Sequence, residues 1–206
     1  DDDEDLDSKY FLQDRNSDKN TILQFAKIRK NNTIFINHME KDSGMHHGIY
    51  IDIFPLDNVK LNSLFGLLQP KLFNMLYMVS ISRLENRAKN TKNLFNKVVR
   101  LAFYYLFKLI PKSLIDKPMQ SILRIYENVE TKYVNHLTNG ASKERLKKYL
   151  REKESFYNIM EAEFEGHLFP IPMDYHDVLT KNYGDYMKLP PEEKRHPHHG
   201  IFEVKI

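Results

Sequence analysis

The segment HHGIYIDIFPLD, His46 to Asp57, places one carboxylate, Asp52, between Ile51 and Ile53. Apolar residues on both sides of the alternation read as a central strand covered on both faces, over Ile49 to Phe54. Pro55 ends it, because proline cannot donate to a sheet ladder, and Asp57 follows as a turn residue. An unpartnered charge in such a strand costs on the order of several kcal/mol, so Asp52 needs a partner. A divalent cation shared with other carboxylates is one, and hard oxygen ligands suit Mg²⁺ or Mn²⁺. The other is a lysine met at an outward-facing strand end.

Upstream, KYFLQ, the polar turn DRNSDKN and the run ILQFAKIRKNNTIFI predict short strands in a hairpin over Tyr10 to Asn37. Downstream the period becomes helical. Asn62 or Ser63 is the candidate cap of a helix with apolar residues at Leu64, Leu67, Leu68, Leu72, Met75, Leu76 and Val79, kinked or divided at Pro70. The basic connector ENRAKNTKN leads to a second helix over Leu94 to Ile110, and a third is expected over Met119 to Asn135. The helical insert thus runs from about 62 to 140. Pro170, Pro172, Pro190, Pro191 and Pro197 crowd the last part of the chain, where short helices and ordered loops are expected.

The 206 residues, 41% hydrophobic and 29% charged, describe an ordinary soluble globular protein, taken here as a single domain over the whole chain. A net charge of +3 from 31 basic and 28 acidic residues gives no global field, so no nucleic-acid partner is expected. Without cysteine there is no disulfide framework and no thiolate zinc site. The apolar window from Val98 to Ile110 contains Arg100 and Lys108 and is too short to cross a bilayer. The chain opens on DDDED rather than a secretory signal, lacks an initiating Met, and reads as truncated at its amino terminus.

Four groups of residues have chemical potential. Asp52 is the first. Asp1, Asp3 and Asp5 are the second: alternate carboxylates on an extended chain project from one side and converge on one ion, the arrangement used in metal-assisted phosphoryl transfer, although acidic termini are commonly just solvated. Lys27 and Arg29 in FAKIRKNN also alternate, placing two cations on one side to grip a diphosphate, or serving as ordinary surface charges. The last group is carboxy-terminal: His167, Tyr183, Asp185, Tyr186, Arg195, His196, His198 and His199. Tyrosines beside a carboxylate bind quaternary ammonium groups by cation–π contact, and Arg or His stabilises a pyrophosphate leaving group. The competing readings are a histidine metal tract, or core tyrosines with a histidine tail.

Three stretches, FAKIRKNNTIFI, HHGIYIDIFPLDNV and FEGHLFPIPMDYHDVLTKNYGDYMKLPPEEKRHPHH, together resemble the LicD family, bacterial relatives of the fukutin-type transferases. The resemblance implies an α+β fold with a nucleotidyltransferase-like mixed sheet core, a helical insert and a loop-rich carboxy-terminal segment. It also implies a cytoplasmic enzyme at the inner face of the plasma membrane. Such an enzyme moves phosphocholine from CDP-choline onto a hydroxyl of a surface glycan, such as lipopolysaccharide or teichoic acid, or of its lipid-linked precursor. DDDED is similar to the family's acidic motif, with Asp3 and Asp5 on its ligand positions, Asp1 beside them and Asp52 as the third carboxylate, for Mg²⁺ or Mn²⁺. Glu4 stands where an apolar residue is usual, and the spacer to KYFLQ is short. Within that activity Lys27, Arg29 and Arg195 are expected to hold the donor, and Tyr183, Asp185, Tyr186 and His198 to line the choline or substrate pocket. Phosphoribitol, phosphoglycerol or a sugar phosphate is the alternative cargo, and a non-catalytic membrane or glycan adaptor the alternative class. The Leu-, Phe- and Tyr-rich insert with its scattered cations suits peripheral contact with a membrane, or a plain helical core.

Overall fold

The computed structural model describes residues 6–38, 40, 41, 43–89, 91–139, 143–195 and 200–206. Asp1, Asp3, Asp5, His196, His198 and His199, all singled out above, lie outside them. In chain order the elements are β1 (Tyr10–Gln13), β2 (Ala26–Lys30), β3 (Ile34–Asn37), β4 (Tyr50–Ile53) and β5 (Asp57–Val59); then α1 (Leu64–Ser82), α2 (Glu85–Lys89), α3 (Leu94–Lys108) and α4 (Ser113–Leu123). They continue with β6 (Tyr133–Asn135), α5 (Lys143–Tyr149), β7 (Arg151–Glu152), α6 (Glu154–Tyr157), β8 (Ile159–Phe164), β9 (His167–Pro172), α7 (Tyr175–Tyr183) and β10 (Ile201–Lys205). The class is mixed α and β. Every strand pairing among the described residues is antiparallel, in sheets of two or three strands, where a mixed sheet was expected.

The chain divides into two compact units. The first comprises Asp1–Pro55, Met75–Gln120 and Pro197–Ile206, and the second Leu56–Asn74 and Ser121–His196. In the first, β1 and β2 form the expected hairpin and β4 pairs with β2, giving the order β1-β2-β4. The polar turn after β1 is built by Asp14, whose carboxylate accepts the amides of Asn16 and Ser17 at 2.7 and 2.8 Å. A separate ribbon pairs β3 with β10. Helix α3 starts where Asn93 Oδ1 accepts the Asn96 amide at 3.0 Å. The apolar core of this unit is Met45, Ile81, Ala88, Tyr104, Ile115 and Met119.

In the second unit β5, β6 and β7 form one sheet and β8 and β9 a hairpin. Its core is Val59, Phe73, Leu123, Tyr126, Val134 and Leu137. Of the two cap candidates for α1, Ser63 does the work: its hydroxyl accepts the Gly66 amide at 3.0 Å. Gly66 has no alternative there, since a Cβ would sit 1.8 Å from the Lys60 carbonyl oxygen. Helix α1 runs through Pro70 and is, by length and composition, the one helix among the described residues long and apolar enough to cross a membrane.

Three expectations change. The third helix lies at Ser113–Leu123 and accommodates Pro118, while Tyr133–Asn135 is a strand, so the insert is not helical throughout. Proline removes one helical hydrogen bond, which the apolar burial of Ile115, Met119 and Leu123 outweighs. The loop-rich tail contains a hairpin of two six-residue strands. Pro170 and Pro172 fit because alternate residues of β9 direct their nitrogens to the same edge, and that edge has no partner strand among the described residues. Asp57 is no turn residue: it opens β5 opposite Asn135.

Burial pushes the Asp57 carboxyl up to about 7, against an opposing hydrogen bond from the Leu137 backbone, and its Oδ2 is buried without a hydrogen-bond partner. The folded state therefore holds a proton that the unfolded chain releases near the ordinary aspartate value of 3.8. Stability due to this group is full below that value, falls as pH rises toward about 7 and is flat beyond it. Asp57→Asn removes that decline, so urea midpoints of the two proteins diverge with rising pH, the variant being the more stable at pH 8.

Candidate functional site

Strand β2 carries Lys27 and Arg29 on one face, and the antiparallel register builds two rows around them. Gln13, Lys27 and Asp52 form one row; Phe11, Arg29 and Tyr50 form the next. Residues directly opposite one another in an antiparallel ladder share a face, so Asp52 stands across from Lys27. Their ion pair measures 3.1 Å, with 5% of the lysine and 29% of the aspartate side chain exposed. The opposite face presents Ile51 and Ile53, which are 70% and 45% exposed. A strand apolar on both covered faces is thus corrected: the polar side of β4 is the covered one. Of the two partners expected for Asp52, the lysine is the one it meets, on the covered side of the sheet rather than at an outward-facing strand end.

Lys27 is also capped by the Tyr50 ring, with Nζ 3.3 Å from its centroid. Burial pulls its ammonium below the ordinary lysine range, and Asp52 opposes that shift without cancelling it. Arg29 is fully buried. Its Nε donates to Gln13 Oε1 at 2.5 Å and its Nη1 to the Gly48 carbonyl at 2.8 Å. Glycine at position 48 lets the chain pass close to the Lys30 backbone, since a Cβ there would lie 2.2 Å from the Lys30 carbonyl oxygen. Gln13 passes the chain of contacts on, donating to Asp18 Oδ2 at 2.7 Å. Burial raises the Asp18 carboxyl, but the His46, Asn20 and Thr21 amides and Gln13 outweigh it and hold the group below its usual range.

The loop before β4 closes this face with residues that no periodic pattern marks: Glu40, His46 and His47. His46 stacks on Phe11 at 4.8 Å. Its Nδ1 accepts the Gly48 amide at 3.0 Å while Nε2 lies 2.9 Å from Asn31 Oδ1, an arrangement that suits the neutral Nε2–H tautomer. Burial lowers both histidines, with the Arg29 charge adding to it. Glu40 is buried and acts electrostatically on Lys27, Arg29 and His47. Among the described residues Arg29 Nη2, Glu40 Oε2 and His47 Nδ1 are buried with no hydrogen-bond partner. Buried polar atoms are normally satisfied. A donor, an acceptor and a ring nitrogen left open beside two cations make this the best-formed polar site of the first unit.

Asp52 is a single carboxylate toward a divalent ion, and no group of three His, Asp or Glu able to hold a metal occurs among the described residues. The described side chains therefore do not themselves compose a cation site. The other predicted residues lie in the second unit. Tyr186 Oη is 2.9 Å from His176 Nδ1, Tyr183 is 72% exposed, with Lys148 Nζ 5.9 Å from its ring centroid, and Asp185 is exposed. Arg195 is exposed and donates to the Pro190 carbonyl at 2.7 Å. His167 packs its ring edgewise on Phe169. Lys27, Arg29 and Asp52 are thus brought together, whereas Tyr183 and Tyr186 have separate partners.

No protein-family model matches the chain, and no solved structure matches it. A curated relative does: over 47 residues the chain is 55% identical to the lipopolysaccharide cholinephosphotransferase LicD of Haemophilus influenzae. The matched stretch is 23% of this chain and 18% of that protein, so it spans less than a fifth of the relative's length. That stretch is what the chain shares with LicD.

Proposed function

We propose that the covered face of the β1-β2-β4 sheet is the donor-diphosphate site of a phosphotransferase that moves phosphocholine from CDP-choline onto a hydroxyl of a cell-surface glycan or its lipid-linked precursor. The observation that carries this reading is the pairing of two buried cations, Lys27 and Arg29, with Asp52 opposite one and an open Nη2 on the other. Phosphoryl transfer asks mainly for positioning and for charge stabilisation of the phosphate oxygens, and a guanidinium with a free N–H beside an ammonium provides both. The relative named above acts as a cholinephosphotransferase on lipopolysaccharide, which supports the cargo and a glycan acceptor.

In this reading Arg29 and Lys27 orient the diphosphate. The acceptor hydroxyl oxygen attacks the phosphorus of the phosphocholine unit, its proton passes to a carboxylate, and the bond to the leaving CMP breaks with its electron pair on CMP. Asp52, with Asp1, Asp3 or Asp5, is the proposed ligand set for Mg²⁺ or Mn²⁺, which when bound would neutralise phosphate charge. The nucleotidyltransferase-like core belongs to the same proposal. So does peripheral membrane contact, for which the exposed Leu94, Phe95, Val98, Tyr105, Leu106 and Leu109 of and after α3 are the candidates.

The test is release of CMP from CDP-choline by the full-length protein with Mg²⁺ and a glycan acceptor. CMP release is expected, and Asp52→Asn lowers it by about a hundredfold or more. CDP-ribitol and CDP-glycerol run in parallel report the cargo. Absence of metal-dependent turnover with every CDP-linked donor contradicts the enzyme reading; full activity in Asp52→Asn contradicts the site. Arg29→Lys keeps the charge and loses the guanidinium fork, and is expected to raise KM for the donor about tenfold.

A further inference from the structure

The first unit contains a second polar hollow, of about 360 Å³, which the site above does not use. Lys19, Lys41, Arg83, Lys108 and Lys112 contribute five cations to its lining, against the single carboxylate of Glu85. That carboxylate is already engaged, since Glu85 forms an ion pair with Lys89 at 2.7 Å. Lys112 is engaged too, in an ion pair with Asp116. Lys19, Lys41, Arg83 and Lys108 remain, and none of them has a carboxylate partner among the described residues.

How three of these four are held is informative. Arg83 Nη1 donates to the Phe107 carbonyl at 2.8 Å and to the Ile110 carbonyl, at the end of α3. Lys108 Nζ donates to Tyr104 Oη at 2.9 Å. Lys41 Nζ stands 4.1 Å from the centroid of the Phe202 ring. Carbonyls, a hydroxyl and an aromatic face orient these cations, without a carboxylate ion pair among the described residues. Four like charges around one hollow repel each other, and an anion entering it relieves that repulsion. Guanidinium and ammonium donors together suit phosphate oxygens, and the volume exceeds what a single phosphate fills and falls in the range of small-molecule sites.

We propose that this hollow binds a phosphate-bearing anion larger than orthophosphate, either a soluble phosphate ester or the headgroup of an anionic lipid. The proposal does not depend on the function assigned to the sheet face. Lys19 and Lys108 are exposed, so their substitution leaves both cores intact.

The experiment is a titration of the full chain with inorganic pyrophosphate, followed by calorimetry, in the wild type, the Lys19→Gln/Lys108→Gln pair and the Lys19→Arg/Lys108→Arg pair, with urea midpoints to show that all three fold alike. Cosedimentation with phosphatidylglycerol vesicles separates the two sources. Pyrophosphate is expected to bind, about tenfold or more weakly to the glutamine pair and nearly as in wild type to the arginine pair. Vesicle binding that pyrophosphate displaces assigns the lipid headgroup; pyrophosphate binding without vesicle binding assigns a soluble ester. Pyrophosphate affinity unchanged in the glutamine pair, or no pyrophosphate binding by the wild type, overturns the proposal.

Discussion

The ammonium of Lys27 lies between the Asp52 carboxylate and the Tyr50 ring on the covered side of a three-stranded sheet, and the candidate site is arranged around that contact. A lysine only 4% exposed is tolerated because both partners are fixed by the register of β2 against β4. Removing one member of such a pair strands the other in a poorly hydrated place, which costs on the order of 3 to 5 kcal/mol. The same register sets Arg29 beside Lys27 and leaves the apolar Ile51 and Ile53 outward. Burial of charge and exposure of isoleucine are two sides of one pairing pattern.

That pattern explains what could be read from the chain and what could not. Asp52 stood out because a carboxylate interrupts an apolar run, and Lys27 and Arg29 because they alternate. Their meeting was not legible, since it depends on which residue of β4 faces which residue of β2. The covered face of β4 was misread for a physical reason: a period of two defines two faces, and hydrophobicity names the buried one only when charges on the other have no partners. Here they have partners. Glu40, Gln13 and the His46–His47 pair arrive through a loop and a cross-strand contact, and neither leaves a periodic trace. The helical stretch is legible in α1, with Ser63 as its cap, and in α3, whose Asn93 cap only the structure reveals. It failed over Met119 to Asn135, where Tyr133–Asn135 pairs with both β5 and β7.

Charge in the first unit is sorted into two environments. On the sheet, cations and carboxylates face each other and are buried together, with individual atoms left open. In the hollow beside α3, Arg83, Lys108 and Lys41 are held by neutral groups, while Glu85 and Lys112 have their own ion pairs. A modest net charge of +3 conceals this separation. The similarity to LicD covers 23% of the chain, while Lys27, Arg29 and Asp52 are brought together by the strand register alone.

A double-mutant cycle on unfolding free energy, combining Lys27→Met with Asp52→Asn, addresses the organising contact directly. If the ammonium and the carboxylate sustain each other on the covered face, Asp52→Asn costs far less in the Lys27→Met background than in the wild type, with a coupling of about 1 to 3 kcal/mol. Costs that add to within about 0.5 kcal/mol would show that the two groups are independent, and the site would have to be built from something other than their pairing.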